Sequence, residues 1–194
     1  ACLDRIEADR SNAALLIVSD HPKTFCNGID LPWLQTQDGK GFKDFVDLLE
    51  NFLLRMAVMD LPVIGAINGN CYAGGAIMAS AFDFRFMRAD RGRFCFSEVN
   101  IKIPFTPVMT EIIRLLPDQQ ALRDLALTGK AVGGEEALRM KVADSIHAES
   151  ELLPTAMAFA EMMAEKDRST FGNIKRGLRL GLSQTARERG FIRV

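Results

Sequence analysis

Val63-Ile64-Gly65-Ala66-Ile67 is a run of small and β-branched apolar residues, and the turn after it, Gly69-Asn70-Cys71-Tyr72-Ala73-Gly74-Gly75-Ala76, opens onto a helical segment at 75–81. The same grammar occurs once upstream. Ala14-Leu15-Leu16-Ile17-Val18 reads as a strand, Phe25-Cys26-Asn27-Gly28-Ile29-Asp30-Leu31 as its turn, and a short helix runs on through Trp33. A strand, a glycine-containing turn and a helix start leave backbone N–H groups pointing out of the turn. Two such turns facing each other make a two-donor pocket for an oxygen that becomes negative during reaction, which points to chemistry at an acyl carbonyl.

Outward from these turns the chain alternates strand and helix. Phe42, Phe45, Val46, Leu49, Phe52, Leu53 and Met56 recur in steps of three and four, so 39–59 is an amphipathic helix. Leu61-Pro62 ends it. Phe84-Arg85-Phe86-Met87 and Phe94-Cys95-Phe96 are strand-like and joined by a polar turn over 88–93 that contains Gly92. Residues 1–10 read as the end of a helix with Leu3 and Ile6 on one face. From Pro107 the strand signal fades, and 110–116, 119–128, 134–140, 152–164 and 170–180 read helical. That order predicts an α/β core with parallel strands and a helical C-terminal part.

A chain of 194 residues suits one domain, or one core with an appended helical piece. Its net charge of −1 comes from interspersed charges, so neither a nucleic-acid surface nor an acidic tail is implied. The small apolar run 76–81 is far too short to span a bilayer, and the mixed polar opening Ala1-Cys2-Leu3-Asp4-Arg5 is no secretory signal. Cys2, Cys26, Cys71 and Cys95 are spread without a CxxC pair, and His21 and His147 stand far apart. A zinc site is therefore not expected, and Cys26 and Cys71 read as small free thiols in tight turns. A thiol nucleophile needs a base, and only His21 is close in sequence to one.

Glu98 lies within Arg93-Phe94-Cys95-Phe96-Ser97-Glu98-Val99-Asn100-Ile101, an apolar setting for an acid. It is either a surface residue at a strand end or a desolvated carboxylate whose raised proton affinity suits it to accept and return a proton. Other acids read less sharply. Asp83 caps or pairs locally, Glu135 and Glu136 favour a helix start, and Glu111 stands one helical turn after Pro107, from where it can approach the site.

Taken together, Lys23 to Leu31, Leu61 to Gly69, Ala73-Gly74-Gly75 and Phe96-Ser97-Glu98-Val99, with Leu127-Thr128-Gly129-Lys130, Glu135-Glu136-Ala137-Leu138 and Lys141-Val142-Ala143-Asp144, resemble the crotonase (enoyl-CoA hydratase/isomerase) superfamily. The resemblance runs from about Ala13 to about Asp144 and rests on the order of the pieces. It implies an α/β fold with a ββα spiral core over 1–130 and a helical trimerisation region over 131–194. It also implies that the Ile29 and Gly74 N–H groups hold a thioester oxygen, and that Asn27, Gly28, Asp30, Trp33, Gly75, Ile77 and Phe105 contact substrate. For Trp33 a plain core aromatic is the other reading.

Hydratases of the family carry a second glutamate at the position held here by Ile77, and dienoyl-CoA isomerases carry aspartates there and at the position of Thr106. Neither residue is acidic. Adding water needs a pair of groups, whereas moving a proton between two carbons needs one. The resemblance is therefore closest to single-glutamate Δ3,Δ2-enoyl-CoA isomerases, with coenzyme A as part of the substrate and no cofactor or metal. Hydration or thioester hydrolysis, using Glu98 with Glu111 or a bound water, is the alternative enzyme, and a non-catalytic acyl-CoA-binding subunit the alternative class. Lys23, Lys175 and Arg176 are the candidate cations for the coenzyme A phosphates. A homotrimer or dimer of trimers is expected, without nucleic-acid or membrane partners, in the cytoplasm of a bacterium or the peroxisome or mitochondrion of a eukaryote. Family members usually open with a strand pair ahead of the helix near which this chain begins, so that pair is expected to be missing here.

Overall fold

The structure, a computed structural model, describes residues 2–192; the expected first helix also took in Ala1, which lies outside them. Helix α1 (Cys2–Ala8) packs Leu3 and Ile6 against the main core. Strands β1 (Leu15–Val18) and β2 (Thr24–Cys26) lead to helices α2 (Leu31–Gln35) and α3 (Gly39–Val58). Strands β3 (Val63–Ile67) and β4 (Asn70–Tyr72) lead to α4 (Gly74–Ala81), and β5 (Phe84–Arg88) and β6 (Phe94–Cys95) to α5 (Glu98–Ile101) and α6 (Pro107–Ile113). The chain closes with α7 (Gln119–Thr128), α8 (Gly134–Arg139), β7 (Ser145–His147), α9 (Glu149–Ala164), α10 (Arg168–Leu178) and α11 (Leu180–Glu188). None of the helices among the described residues is long and apolar enough to cross a membrane.

Each strand-strand-helix unit gives one strand to each of two parallel sheets, ordered β1-β3-β5-β7 and β2-β4-β6, so the chain winds as a spiral. Strand β3 is buried along its whole length, which explains its unbroken apolar sequence. Its side chains alternate as a pleat requires. Val63 and Ile67 join the main core with α3, α4 and α6, while Ile64 and Ala66 meet Leu152, Ala156 and Ala160 of α9 on the opposite face. Corners of successive turns stack backbone on backbone. A Cβ at Gly92 (φ +84°) would stand 2.5 Å from the Gly69 carbonyl carbon, and one at Gly69 would collide with the Lys23 carbonyl.

Several sequence expectations are corrected. The two Gly-containing turns each begin with a strand, β2 and β4, whose three residues are too few to show a period of two. Strands β5 and β6 are joined by the 88–93 turn as expected, and that turn carries the chain from one sheet to the other. The C-terminal part is not purely helical, because Ser145–His147 adds the edge strand β7 beside β5. The helix expected from 110 begins at Pro107, with the Thr106 hydroxyl accepting from Met109 N–H. The helix expected over 170–180 breaks at Arg179.

Asp83 pairs far from its own segment rather than locally. Its carboxylate lies 2.7 Å from Lys175 Nζ and 2.9 Å from Arg179, and accepts from Val63 N–H at 2.8 Å. Lys175 and Arg179 also donate to the carbonyls of Leu61, Ala57 and Ala81, so this cluster fastens the last helices to the C-terminal ends of α3 and α4. Burial is the main influence on Lys175 and lowers its pKa to about 8, against the pull of Asp83.

Candidate active site

Gly74 is the first residue of α4, and the Ala73 before it holds φ 48° and ψ −125°, a conformation rare for a residue with a Cβ. Ile29 precedes Asp30, whose side chain caps α2 by accepting from Trp33 N–H at 3.1 Å. Among the described residues neither the Ile29 nor the Gly74 N–H makes a hydrogen bond within the protein. The two turns touch. A Cβ on Gly28 (φ +89°) would stand 2.7 Å from Gly74 N, and one on Gly74 would lie 3.3 Å from Gly28 Cα and 3.7 Å from Ile29 N. Only a glycine at 28 tolerates both that φ and that approach. Both free amides therefore open beside one spot, the arrangement an oxyanion requires.

That spot lies on a cavity of about 740 Å³. Its strand-and-turn side carries Asn27, Ile29, Asn70, Tyr72, Gly74, Ser97 and Glu98; α2 and α3 contribute only Leu31, Leu34, Phe42, Phe45, Val46, Leu49 and Leu53. Ala73, Ile77, Ile101, Ile103, Pro104, Thr106 and Met109 complete the wall. Glu98 is the sole carboxylate among the described residues that line it.

Glu98 is 5% exposed and opens the short helix α5, so of its two readings it is the desolvated carboxylate and not a surface residue at a strand end. Its Oε2 is buried with no hydrogen-bond partner. Burial pushes its carboxyl above the ordinary glutamate range, partly opposed by a backbone hydrogen bond. An unpartnered buried oxygen is costly to keep and is what a proton acceptor waiting for substrate looks like. Helix α5 is held by a loop 29 residues further on, where the Gly129 carbonyl accepts from Asn100 Nδ2 at 3.1 Å and from Cys95 Sγ at 3.4 Å. Gly129 (φ +63°) is thereby a support for the acid, a role that the Thr128-Gly129 motif did not disclose.

Of the residues read as substrate contacts, Asn27 and Ile77 line the cavity, while Gly28, Asp30, Trp33, Gly75 and Phe105 do not. Gly28 and Gly75 shape the turns instead, a Cβ at Gly75 colliding with the Cys26 carbonyl. Asp30 is a helix cap. Trp33 is 45% exposed and packs edge-on against Phe45 at 5.4 Å, neither core nor wall. Phe105 packs edge-on against Phe96. Glu111 is paired with Arg114 on the surface at 3.5 Å and lies outside the cavity lining. Lys175 is buried in its pair with Asp83, so it is no surface cation, and Arg176 borders a separate cavity beside α1 and α3. Lys23 is exposed. The α3 positions that read as a core face supply much of the cavity wall, and Tyr72, Asn70 and Ser97 were missed because lone polar residues in a turn carry no periodic signal. No cluster of three or more metal-ligating side chains occurs among the described residues.

Comparison with known proteins agrees with this architecture. The family profile described as enoyl-CoA hydratase/isomerase matches residues 1–191. The chain is similar to enoyl-CoA delta isomerase 2, peroxisomal, of Arabidopsis thaliana, 32% identical over 91% of this chain and 78% of that protein. It is also similar to enoyl-CoA delta isomerase 3 of the same plant, 32% identical over 84% of this chain and 71% of that one. Among solved structures, an enoyl-CoA hydratase of Mycobacterium ulcerans superposes with a TM-score of 0.86 at 23% identity, covering 96% of this chain and 80% of that one, which shows a shared fold.

Proposed function

The chain belongs to the enoyl-CoA hydratase/isomerase family, and from that premise we propose that it moves the double bond of a 3-enoyl-CoA to the 2-trans position with Glu98 as its single acid-base. The observation that carries the proposal is the buried, unpartnered Glu98 Oε2, sole carboxylate among the described lining residues of a cavity that also holds two free amides. Similarity to plant enoyl-CoA delta isomerases supports it.

In the proposed reaction the thioester oxygen lies between the N–H groups of Ile29 and Gly74. Glu98, as carboxylate, removes a proton from C2, and the C–H electron pair spreads through the allylic system onto that oxygen. Each amide stabilises the enolate, a donor of this kind being worth ~2.7–4 kcal/mol in the transition state. The protonated Glu98 then delivers to C4, and the electrons return to form the C2–C3 double bond. One proton moves and no electrons enter or leave, so the chemistry calls for no resident cofactor; coenzyme A arrives as part of the substrate. Ile77, one helical turn after Gly74 and 2% exposed, presents an apolar surface at the position where a water-activating acid would serve hydration. Lys23 is the remaining candidate for a coenzyme A phosphate contact.

The proposal is tested by following conversion of 3-enoyl-CoA to 2-trans-enoyl-CoA, and hydration of the 2-enoyl product, with wild type and Glu98→Gln. Equal isomerisation rates would defeat the assignment to Glu98, and faster hydration than isomerisation would reassign the enzyme. Assembly as a homotrimer or dimer of trimers through the region 131–194 is part of the same proposal, to be checked by the mass in light scattering. So is the compartment, which follows the host: cytoplasm in a bacterium, peroxisome or mitochondrion in a eukaryote.

A further inference from the structure

Cys26 and Cys71 occupy equivalent places in successive turns of the spiral. Each lies in the short strand that feeds a glycine-containing turn, and each stands three residues before the residue whose amide is free, Ile29 or Gly74. The two are direct register partners across the parallel pair β2 and β4. Asn27 beside Cys26, and Asn70 and Tyr72 on either side of Cys71, line the cavity, so both sulfur atoms turn the other way, into the main core where both residues pack. Neighbouring strands run ~4.8 Å apart, inside the Cα separation of about 4.4–6.8 Å that a disulfide spans. Helix α4 presses on the same spot, since a Cβ at Gly75 would lie 2.9 Å from Cys26 Cβ. Cys26 is half-buried and Cys71 fully buried, both as free thiols. Burial, with the nearby Cys26 adding to it, pushes the Cys71 thiol well up, so it stays protonated.

From this pairing we propose that Cys26 and Cys71 form an oxidisable dithiol, which a small two-electron oxidant such as hydrogen peroxide closes into a disulfide that displaces the two free amides. Neither sulfur takes part in the reaction set out above. In the first step Cys26, the more accessible of the two, attacks peroxide as its thiolate. An S–O bond forms, the O–O bond breaks, and the departing hydroxide takes up the proton the thiol released and becomes water. The Cys71 sulfur then attacks the sulfenic sulfur of Cys26. The S–S bond forms, the S–O bond breaks, and the Cys71 proton leaves with the hydroxyl as a second water. Both thiols are oxidised and one peroxide is reduced. A disulfide holds its Cβ atoms about 3.8 Å apart, closer than the ~4.8 Å between strands. The strand ends are therefore drawn together by about 1 Å just ahead of both turns, and a displacement of that size at a catalytic geometry costs about 10²-fold. The effect on activity rests on the reading of Ile29 and Gly74 as the oxyanion amides.

The test uses the chain with Cys2→Ser, so that the exposed Cys2 does not link two molecules. Reduced protein is treated with hydrogen peroxide, blocked with iodoacetamide, digested without reductant and mapped by mass spectrometry. We expect one linked peptide pair, Cys26 to Cys71, lighter by two hydrogens than its separate peptides. Isomerisation of 3-enoyl-CoA should fall at least about tenfold on oxidation and return with dithiothreitol. Cys26→Ala, treated alike, keeps its activity, and Cys71→Ala stops at a Cys26 sulfenic acid that dimedone labels. Protein in which Cys26 and Cys71 stay unlinked, or linked protein that turns over at the reduced rate, overturns the proposal. The mapping does not depend on the isomerase reading. A linked pair in protein that fails to isomerise even when reduced sinks that reading, and the proposal then stands or falls on whether oxidation weakens binding of a saturated acyl-CoA by the same factor.

Discussion

Glu98 concentrates the conflict between folding and function in one side chain. Its carboxyl is held above the ordinary glutamate range by burial, and one oxygen has no partner. Glu98→Gln should lower isomerase kcat by about 10³-fold, within the span of general acid-base effects, measured under saturating substrate. Its effect on stability has the opposite sign. A carboxyl whose folded pKa is raised binds its proton more tightly folded than unfolded, so its contribution is complete below the unfolded pKa and is lost as pH rises through the folded one. At neutral pH the wild type carries that loss and the amide does not. Thermal melts should therefore show Glu98→Gln at least as stable as wild type at pH 7, with any advantage vanishing by about pH 4, below the ordinary glutamate value. The acid limb of the kcat profile should likewise fall above the pH at which an exposed glutamate titrates. The type and setting of this residue were legible in Phe94-Cys95-Phe96-Ser97-Glu98, but the short helix that carries it is tied down by Asn100 and Gly129, which meet only in space.

At the scale of elements, adjacent glycines at the start of α4 do different work. A Cβ on Gly74 would stand 3.7 Å from Ile29 N and 3.3 Å from Gly28 Cα, a tight contact that a backbone shift of a few tenths of an ångström relieves. Gly74→Ala should fold nearly as well as wild type and lose about 10²-fold in kcat/KM by crowding the oxyanion. A Cβ on Gly75 collides with the Cys26 carbonyl of β2. Gly75→Ala should instead lower stability by about 3 kcal/mol in urea melts, because two elements must be pushed apart. The sequence announced both turns through their glycines. It did not announce the short strands β2 and β4 that press the turns together, since three-residue strands have no periodicity to detect. Helix α3 shows the converse: its apolar steps were plain, yet the same stripe serves the core at Phe52 and Met56 and the cavity at Val46 and Leu49.

Across the whole molecule, the last helices are tied to the catalytic layer through Asp83, which holds Lys175 and Arg179 at the far end of the helix that Gly74 begins. Asp83→Asn leaves two buried cations short of their counter-ion, and urea unfolding should show a loss of about 3 kcal/mol or more, since a broken buried pair keeps its desolvation penalty. Lys175→Met should be milder than Asp83→Asn, because it removes a buried charge and leaves Asp83 paired with Arg179. By itself, the sequence determined the α/β alternation, the two amide-bearing turns and the acid between apolar neighbours, because each is written in contiguous residues through apolar periodicity, glycine placement and local desolvation. Only the tertiary structure decided that the strands divide between two sheets, that Asp83 reaches helices some ninety positions away, that Trp33 and Phe105 stand off the cavity, and that α3 supplies its wall. Those are contacts between segments distant in the chain, and a local pattern states which surface is apolar without stating what that surface will meet.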